Sequence, residues 1–580
     1  MTNPASRTSN NVFASRLWRR ENFQAAYIVW FLATVLTIVF IALPIGYILV
    51  TSFTEGGKLS LKPLLDYFLH DGSALRSARN SFVLSASVAI VSVLVGVPLA
   101  FGVSRTDMAW KGLVRATVIV AIITPPFLRT MAYILLFGPN AGYVNVLLRD
   151  AFFPRLTQGP LNIFGLAGLV LLCTPIGIAQ VFVLTSTALR QMDPSLEEVA
   201  RVSGANRWRT AWMITIRISR NAILAGALMA FTISLALYGT PHLLGIDVLT
   251  TKIREALMMP VNFKKASVLS NFAIVMAIVV LGFYRRAVRN DAQFQTVTGR
   301  GFRPAVMEMG GWRHLFTALG FVYAFLSFVL PYGALIFMSL LKRVGVTPTL
   351  EDLTLEHYRF VFTSPFALRA IRNSLILSIA AAMVCILIAV VTAYIVVRTR
   401  IKGRFFLDYL TALPQGVSGT ALAVGLILVY TSPAFRSLRL YGTLMILLLA
   451  YVARHMPIAF RSIQTSFMQV SSELEEAARV AGASWFQTIV RVTIPLVKEG
   501  VTYAWVLVFL SALPELSSSI VLRHMGNDTV ATALLDIWSG AGGYQKACAL
   551  GSAAFLLVTS VFLITSKLTG RSVFDRDING

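Results

Sequence analysis

Apolar runs of about twenty residues or more recur along the whole chain between short polar stretches. As a helix, each is long enough to cross a hydrocarbon core of roughly 30 Å. They lie near 25–53, 80–103, 115–138, 163–189, 222–244 and 267–284, then near 313–341, 372–397, 405–431, 440–467, 500–522 and 548–567. The first run follows a polar, basic stretch containing Arg7, Arg16, Arg19 and Arg20. It is too long for a signal-peptide core, and no convincing small-residue cleavage site follows, so it predicts an uncleaved membrane helix. The pattern predicts an all-α polytopic membrane protein of about 12 transmembrane helices in two homologous six-helix halves. The boundaries are an N-terminal tail at 1–24, a first half at 25–284, a linker at 285–312, a second half at 313–567 and a C-terminal tail at 568–580.

The halves are a repeat, which matters more than any single run. Asp193 to Ser219 and Ser471 to Val497 share Leu-Glu-Glu, Ala-Arg-Val and Gly-Ala, with Gly204 and Gly482 lying 278 positions apart (482 − 204). Each copy starts with a polar residue and an acidic turn, suited to a helix N-terminus. Its glycine ends that short helix and lets a second begin. Asn80-Ser81 matches Asn373-Ser374, and Ala100-Phe101 with Arg105 matches Ala393-Tyr394 with Arg398, at an offset of 293 (398 − 105). Pro125 and Pro414 fall at equivalent places, as do Pro175 and Pro457. Prolines inside such helices free backbone groups and favour positions within the bundle.

Composition supports the membrane reading: 56% of the 580 residues are hydrophobic, only 13% are charged and mean hydropathy is +0.72. The formal charge of +25 does not point to nucleic acid, because Lys and Arg sit in short loops between apolar runs rather than beside stacking aromatics. Read by the positive-inside rule, they place both termini and both repeat loops in the cytoplasm. Cys173, Cys385 and Cys548 lie in apolar runs without CxxC spacing, so neither a disulfide framework nor a metal site is indicated. The sequence contains no GxxxxGK[ST] phosphate loop, no HExxH motif and no nucleophile elbow. Catalysis is therefore not expected of this chain, and it has no phosphate loop with which to bind a nucleotide.

The repeated loops resemble the cytoplasmic loop of permease subunits of binding-protein-dependent ABC importers, whose pattern is Glu-Ala-Ala, three residues, Gly, nine residues, Ile-x-Leu-Pro. In the second copy Glu476, Ala477, Ala478, Gly482 and Pro495 fit, with Val492 and Ile494 at the Ile and Leu positions; in the first, Glu198, Ala200, Gly204, Ile214 and Ile216 fit, while Val199 and Arg217 depart from it. The resemblance implies the type I importer permease fold at the bacterial inner membrane. It also implies two ATPase subunits that bind ATP and Mg, none of it held by this chain, and a periplasmic or extracytoplasmic solute-binding protein. It makes Glu197, Glu198, Ala200, Gly204, Glu475, Glu476, Ala477, Ala478, Gly482 and Pro495 the expected ATPase-coupling residues. Lipid is the surrounding medium, and nucleic acid is not an expected partner.

An ionisable residue at membrane depth marks a pathway by default. Glu515, beside Pro514 and Ser517, is the clearest case, and Gly239 with Pro241 occupies the corresponding place in the first half. These five residues are the candidates for the translocation path. LPELSSSIVL and YGTPHLLG resemble segments of ferric-iron ABC permeases, which implies ferric iron as the solute. The same branch contains permeases for 2-aminoethylphosphonate, thiamine and polyamines. A secondary transporter, binding its solute near the midplane through broken helices, is the alternative class.

Overall fold

The computed structural model describes residues 27–69, 71–193, 195–288, 306–343, 349–399, 401–471, 473–540 and 543–568. The N-terminal tail, most of the linker and nearly all of the C-terminal tail lie outside them. Within the described residues the membrane segments are helical: α1 Tyr27–Ser52, α2 Gly72–Arg105, α3 Lys111–Ile123, α4 Pro126–Phe137 and α5 Leu166–Gln191 come first. The short helix α6 Ser195–Val202 follows, then α7 Arg207–Ile216, α8 Arg220–Ala236 and α9 Phe263–Val288. The second half runs α10 Trp312–Ser339, α11 Pro365–Arg398, α12 Arg404–Gly416, α13 Gly419–Thr431 and α14 Leu444–Gln469. It ends with α15 Glu473–Val480, α16 Phe486–Ala512 and α17 Tyr544–Leu568. A hairpin of two residues per strand, Thr54–Glu55 against Lys58–Leu59, turns on Gly56 and Gly57, both at positive φ.

Among the described residues nine helices have the length and apolarity to cross a membrane, and up to twelve spans result if each of three bent pairs counts as one. The bends are physical breaks. Between α3 and α4 the chain turns by 103°, where Thr124 and Pro125 are extended and Pro126 opens the new helix. Between α12 and α13 it turns by 113°, following Pro414 and a short 3₁₀ turn over Leu413–Gly416. A proline lacks the donor that a continuous helix requires and disfavours helix in the residue before it. Pro175 and Pro457, by contrast, sit inside unbroken helices. The fifth and eleventh apolar runs end as helix at Ala236 and Ala512, earlier than hydropathy suggests, and give way to short pieces containing Gly239–Leu243 and Ser519–Leu522.

Residue packing divides the chain into two compact units that cut across the two sequence halves. One comprises 1–47, 375–415 and 425–513, so the described part of the first helix, up to Tyr47, is grouped with helices of the second repeat. Gly425 approaches Pro44 there so closely that a Cβ would strike its carbonyl. The other comprises 48–374, 416–424 and 514–580, and brings α10 among helices of the first repeat. In it, Gly320 of α10 lies against Val114 of α3, the Tyr323 hydroxyl donates to the Pro175 carbonyl at 3.2 Å, and Met307 N donates to Arg105 O at 2.8 Å. Each half thus lends its first helix to the packing of the other.

The repeat is visible in detail. Asn80 Nδ2 donates to Asp247 O at 2.9 Å and Leu249 N donates to Ser81 Oγ at 2.8 Å. In the second copy Asn373 Nδ2 donates to Asp528 O at 2.9 Å and Val530 N to Ser374 Oγ at 2.8 Å. π-helical turns also recur, at Ile38–Ala42 with Phe325–Val329 and at Ala211–Ile216 with Ile489–Thr493.

Candidate coupling loops and broken helices

In both repeated loops the glycine is needed for its backbone. Gly204 has φ +85° and Gly482 φ +90°, and a Cβ at either would meet nothing within 4 Å. What the position asks for is the left-handed conformation, which glycine adopts without steric cost. The helix ends alike in each: Ala205 N donates to Ala200 O and Ala483 N to Ala478 O, both at 3.0 Å. The next helix is capped by Asn206, whose Oδ1 accepts from Arg209 N at 2.8 Å. At the second loop Ser484 Oγ accepts from Gln487 N at 3.2 Å.

Burial separates the coupling candidates into two groups. Glu198, Glu476, Ala477, Gly204, Gly482 and Pro495 are exposed, and Ala200 and Ala478 half-buried. Glu197 and Glu475, by contrast, are only 2% and 3% exposed and point into the protein. Glu197 Oε1 accepts from the Thr215 hydroxyl at 2.8 Å, and its Oε2 lies 3.7 Å from the guanidinium of Arg105, which is itself buried at the end of α2. Glu475 Oε1 accepts from Thr493 at 3.1 Å and lies 3.3 Å from Nε of Arg398, the last residue of α11. The same arginines reach main-chain oxygens just before each loop: Arg105 Nη2 donates to Met192 O at 3.2 Å, and Arg398 Nη2 to Val470 O at 2.6 Å. Arg479 adds a further contact to Glu475 Oε2 at 3.6 Å.

Each loop is therefore held by a buried clip of one arginine, one glutamate and one threonine. The threonine sits in a π-helical turn, a rare element often found at functional positions. Breaking a buried charged pair by deleting one partner costs about 3–5 kcal/mol, since the other charge stays buried. The glutamates are thus internal fasteners. The outward face is instead apolar at its tip: Val202 and Val480 are each 90% exposed. Leu196, Val199, Met213, Ile214 and Ile218 with Arg217 line a groove of about 520 Å³ beside the first loop.

The path candidates lie at the two helix breaks. Gly239 allows close packing, for a Cβ there would fall 2.7 Å from Leu516 Cδ2 and 2.9 Å from Phe127 Cβ of α4. Thr130 of α4 donates to Thr240 at 3.0 Å, and Pro241 is buried. Glu515 is half-buried, and its Oε1 accepts from Ser518 N at 3.1 Å. A Cβ on Gly419, where α13 begins, would meet Ser517 Cβ at 2.8 Å and Glu515 Oε1 at 3.0 Å. The structure thus brings Gly239 to Leu516 and places Pro514, Glu515 and Ser517 beside the second break. Among the described residues no group of three or more His, Cys, Asp or Glu side chains comes together to hold a metal ion.

One residue absent from the sequence-based candidates stands out here. Arg129, in the first turns of α4, is 1% exposed, and its Nε, Nη1 and Nη2 have no hydrogen-bond partner among the described residues. A single charge in a long apolar run barely alters mean hydropathy, but as an ionisable group at membrane depth it was detectable.

The profile of the binding-protein-dependent transport system inner membrane component matches residues 92–290. Together with the repeated loops and the helix count, this defines a permease of the ABC transporter class. The chain belongs to that family: it is 31% identical over 204 residues to the inner membrane ABC transporter permease protein YcjP of Escherichia coli, covering 34% of this chain and 71% of that protein. Relatives that align along most of the chain include the ferric transport system permease protein FbpB of Actinobacillus pleuropneumoniae, 29% identical over 92% of this chain and 76% of the relative. The Fe(3+)-transport system permease protein FbpB 2 of Haemophilus influenzae is 26% identical over 84% of this chain and 88% of the relative.

Proposed function

We propose that this chain is the fused permease of an ATP-driven importer that passes ferric iron, delivered by an external binding protein, across the bacterial inner membrane. The observation that carries the importer reading is the twice-built loop, in which an exposed apolar tip is joined to the membrane helices by a buried arginine–glutamate–threonine clip. Such a loop can receive a push from a partner and pass it on. Two ATPase subunits dock on the Val202 and Val480 tips from the cytoplasm, where both termini also lie. They supply the ATP and Mg chemistry, while this chain hydrolyses nothing. Movement of α6 or α15 is handed through Glu197 or Glu475 to Arg105 or Arg398, hence to α2 or α11, and through Thr215 or Thr493 to α7 or α16.

Ferric iron as the solute is supported by the full-length relatives named for ferric transport. Glu515 offers one carboxylate beside the path rather than a binding cluster, and such a shallow attraction suits transit, because a deep well would trap the ion. Reconstitution with the cognate ATPase and binding protein in proteoliposomes tests the assignment. ATP-dependent uptake of radioactive iron is expected, while uptake driven by an ion gradient without ATP would replace the importer by a secondary transporter.

A further inference from the structure

We propose that Arg129 is an oxyanion site beside the path, taking a phosphonate, phosphate or carboxylate group that enters with the solute. This rests on the reading of the chain as a permease and adds a chemical class to it. Arginine stays protonated under all ordinary conditions, so burial cannot remove its charge. A buried ion with no opposite charge or hydrogen bond is among the most costly arrangements a protein can hold. All three guanidinium nitrogens of Arg129 are buried without a partner among the described residues, whereas the equally buried Arg105 and the less buried Arg398 each hold a glutamate and a main-chain carbonyl.

The surroundings offer Arg129 no counter-charge among the described residues. Tyr133, Tyr323, Tyr332 and Cys173 lie within reach of its charge, but these are neutral groups, and the Tyr133 and Tyr323 hydroxyls point their protons to Leu326 O at 2.7 Å and Pro175 O at 3.2 Å. Arg129 stands at the start of the twelve-residue α4, directly after the 103° break, where the helix dipole presents its positive end. Helices broken in this way can turn an N-terminus toward an anionic group in a transport protein. The neighbours Phe127 and Thr130 touch Gly239 and Thr240, so the charge lies next to the candidate path. The guanidinium fork matches an oxyanion with two parallel hydrogen bonds. The anion has two possible sources with one chemistry: the solute's own acid group, or an oxyanion accompanying a metal ion that would otherwise hydrolyse in neutral water.

The test uses the full-length chain in lipid nanodiscs, with the melting midpoint read in 10 mM inorganic phosphate, 2-aminoethylphosphonate or ferric citrate against chloride at matched ionic strength. The wild type should gain about 2 °C or more with at least one oxyanion, as expected when a ligand binds only the folded state. Arg129→Lys should keep part of the gain and Arg129→Gln none. Without oxyanion, the Gln variant should melt at or above the wild type, because an unpaired charge has gone. A gain with phosphate supports the site under either source; a further gain with 2-aminoethylphosphonate assigns the anion to the solute, and a gain with ferric citrate but not 2-aminoethylphosphonate assigns it to the metal's companion. No gain in the wild type with any probe, or an equal gain in wild type and Gln variant, overturns the site. If the Gln variant does not fold, the wild-type gain and its reduction in the Lys variant decide. Loss of ATPase association would be a failure of the permease reading, and none of these midpoints depends on it.

Discussion

The two repeats are alike at their loops and unlike at their helix breaks. At the loops every clip residue has a counterpart, Arg105 with Arg398, Glu197 with Glu475 and Thr215 with Thr493, and the burial pattern along α6 and α15 is nearly the same. At the breaks, four residues beyond the matching prolines, the first repeat carries the unpaired Arg129 while the second carries Ser418, whose hydroxyl caps α13 by accepting from Ala421 N at 3.2 Å. The second break is also the one that packs against a carboxylate, that of Glu515. Under the proposed docking of two copies of one ATPase subunit, both loops would need the same grip, which accounts for their symmetry. A solute needs no twofold symmetry, and groups that meet it are free to differ.

The largest effect should come from the clips. Arg398→Ala leaves Glu475 buried with only the exposed Arg479 and a threonine, a loss of about 3–5 kcal/mol. Uptake should fall by about 100-fold or more, with earlier melting in nanodiscs. Arg105→Ala should do the same, and a defect confined to one clip would show that the matched geometry hides unequal roles. The double variant Arg398→Ala with Glu475→Ala should recover part of the stability, because neither charge is then stranded.

Glu515→Gln keeps the acceptor for Ser518 N and removes the charge. Uptake rate should drop several-fold with unchanged preference among solutes. An unaltered rate, with loss only in Glu515→Ala, would make Glu515 a hydrogen-bonding support for the bend after Pro514.

Gly204→Ala and Gly482→Ala should each cost about 1 kcal/mol, entirely from positive φ, since their Cβ positions are open. Partial and matching losses of coupled ATP hydrolysis are expected in the assembled transporter. The smallest effect concerns Glu198→Lys against Glu476→Lys. These exposed residues sit in loops that differ at Arg217 and Pro495, and the second substitution should be the more damaging. Equal residual uptake would show that the loops grip alike despite that difference.

Much of this was legible in the sequence, because hydropathy and a repeat of 278 residues are one-dimensional signals. Twelve apolar runs predicted the spans, and Pro125 with Pro414 marked the right places for trouble. How sharply the chain turns there was not legible, since apolarity continues across 115–138 and hydropathy is blind to direction. The inward aim of Glu197 and Glu475 was missed for another reason. An acidic first turn satisfies a helix N-terminus equally well facing out or in, and only the fold brings Arg105 across 92 positions (197 − 105) to meet it. The signal existed: arginine and glutamate are each repeated, at separate offsets of 293 and 278, which is what a contact kept in both halves would leave.

Docking of an ATPase on the apolar tips of both loops can be read by site-directed cross-linking. All three native cysteines are buried, so Val202→Cys and Val480→Cys introduce the accessible thiols among the described residues. In membranes containing the cognate ATPase, each variant should form a cross-link to that subunit through a short thiol-to-amine reagent, with a yield that changes when ATP is added. Cross-linking at neither position, with the ATPase present and the permease inserted, would contradict the account.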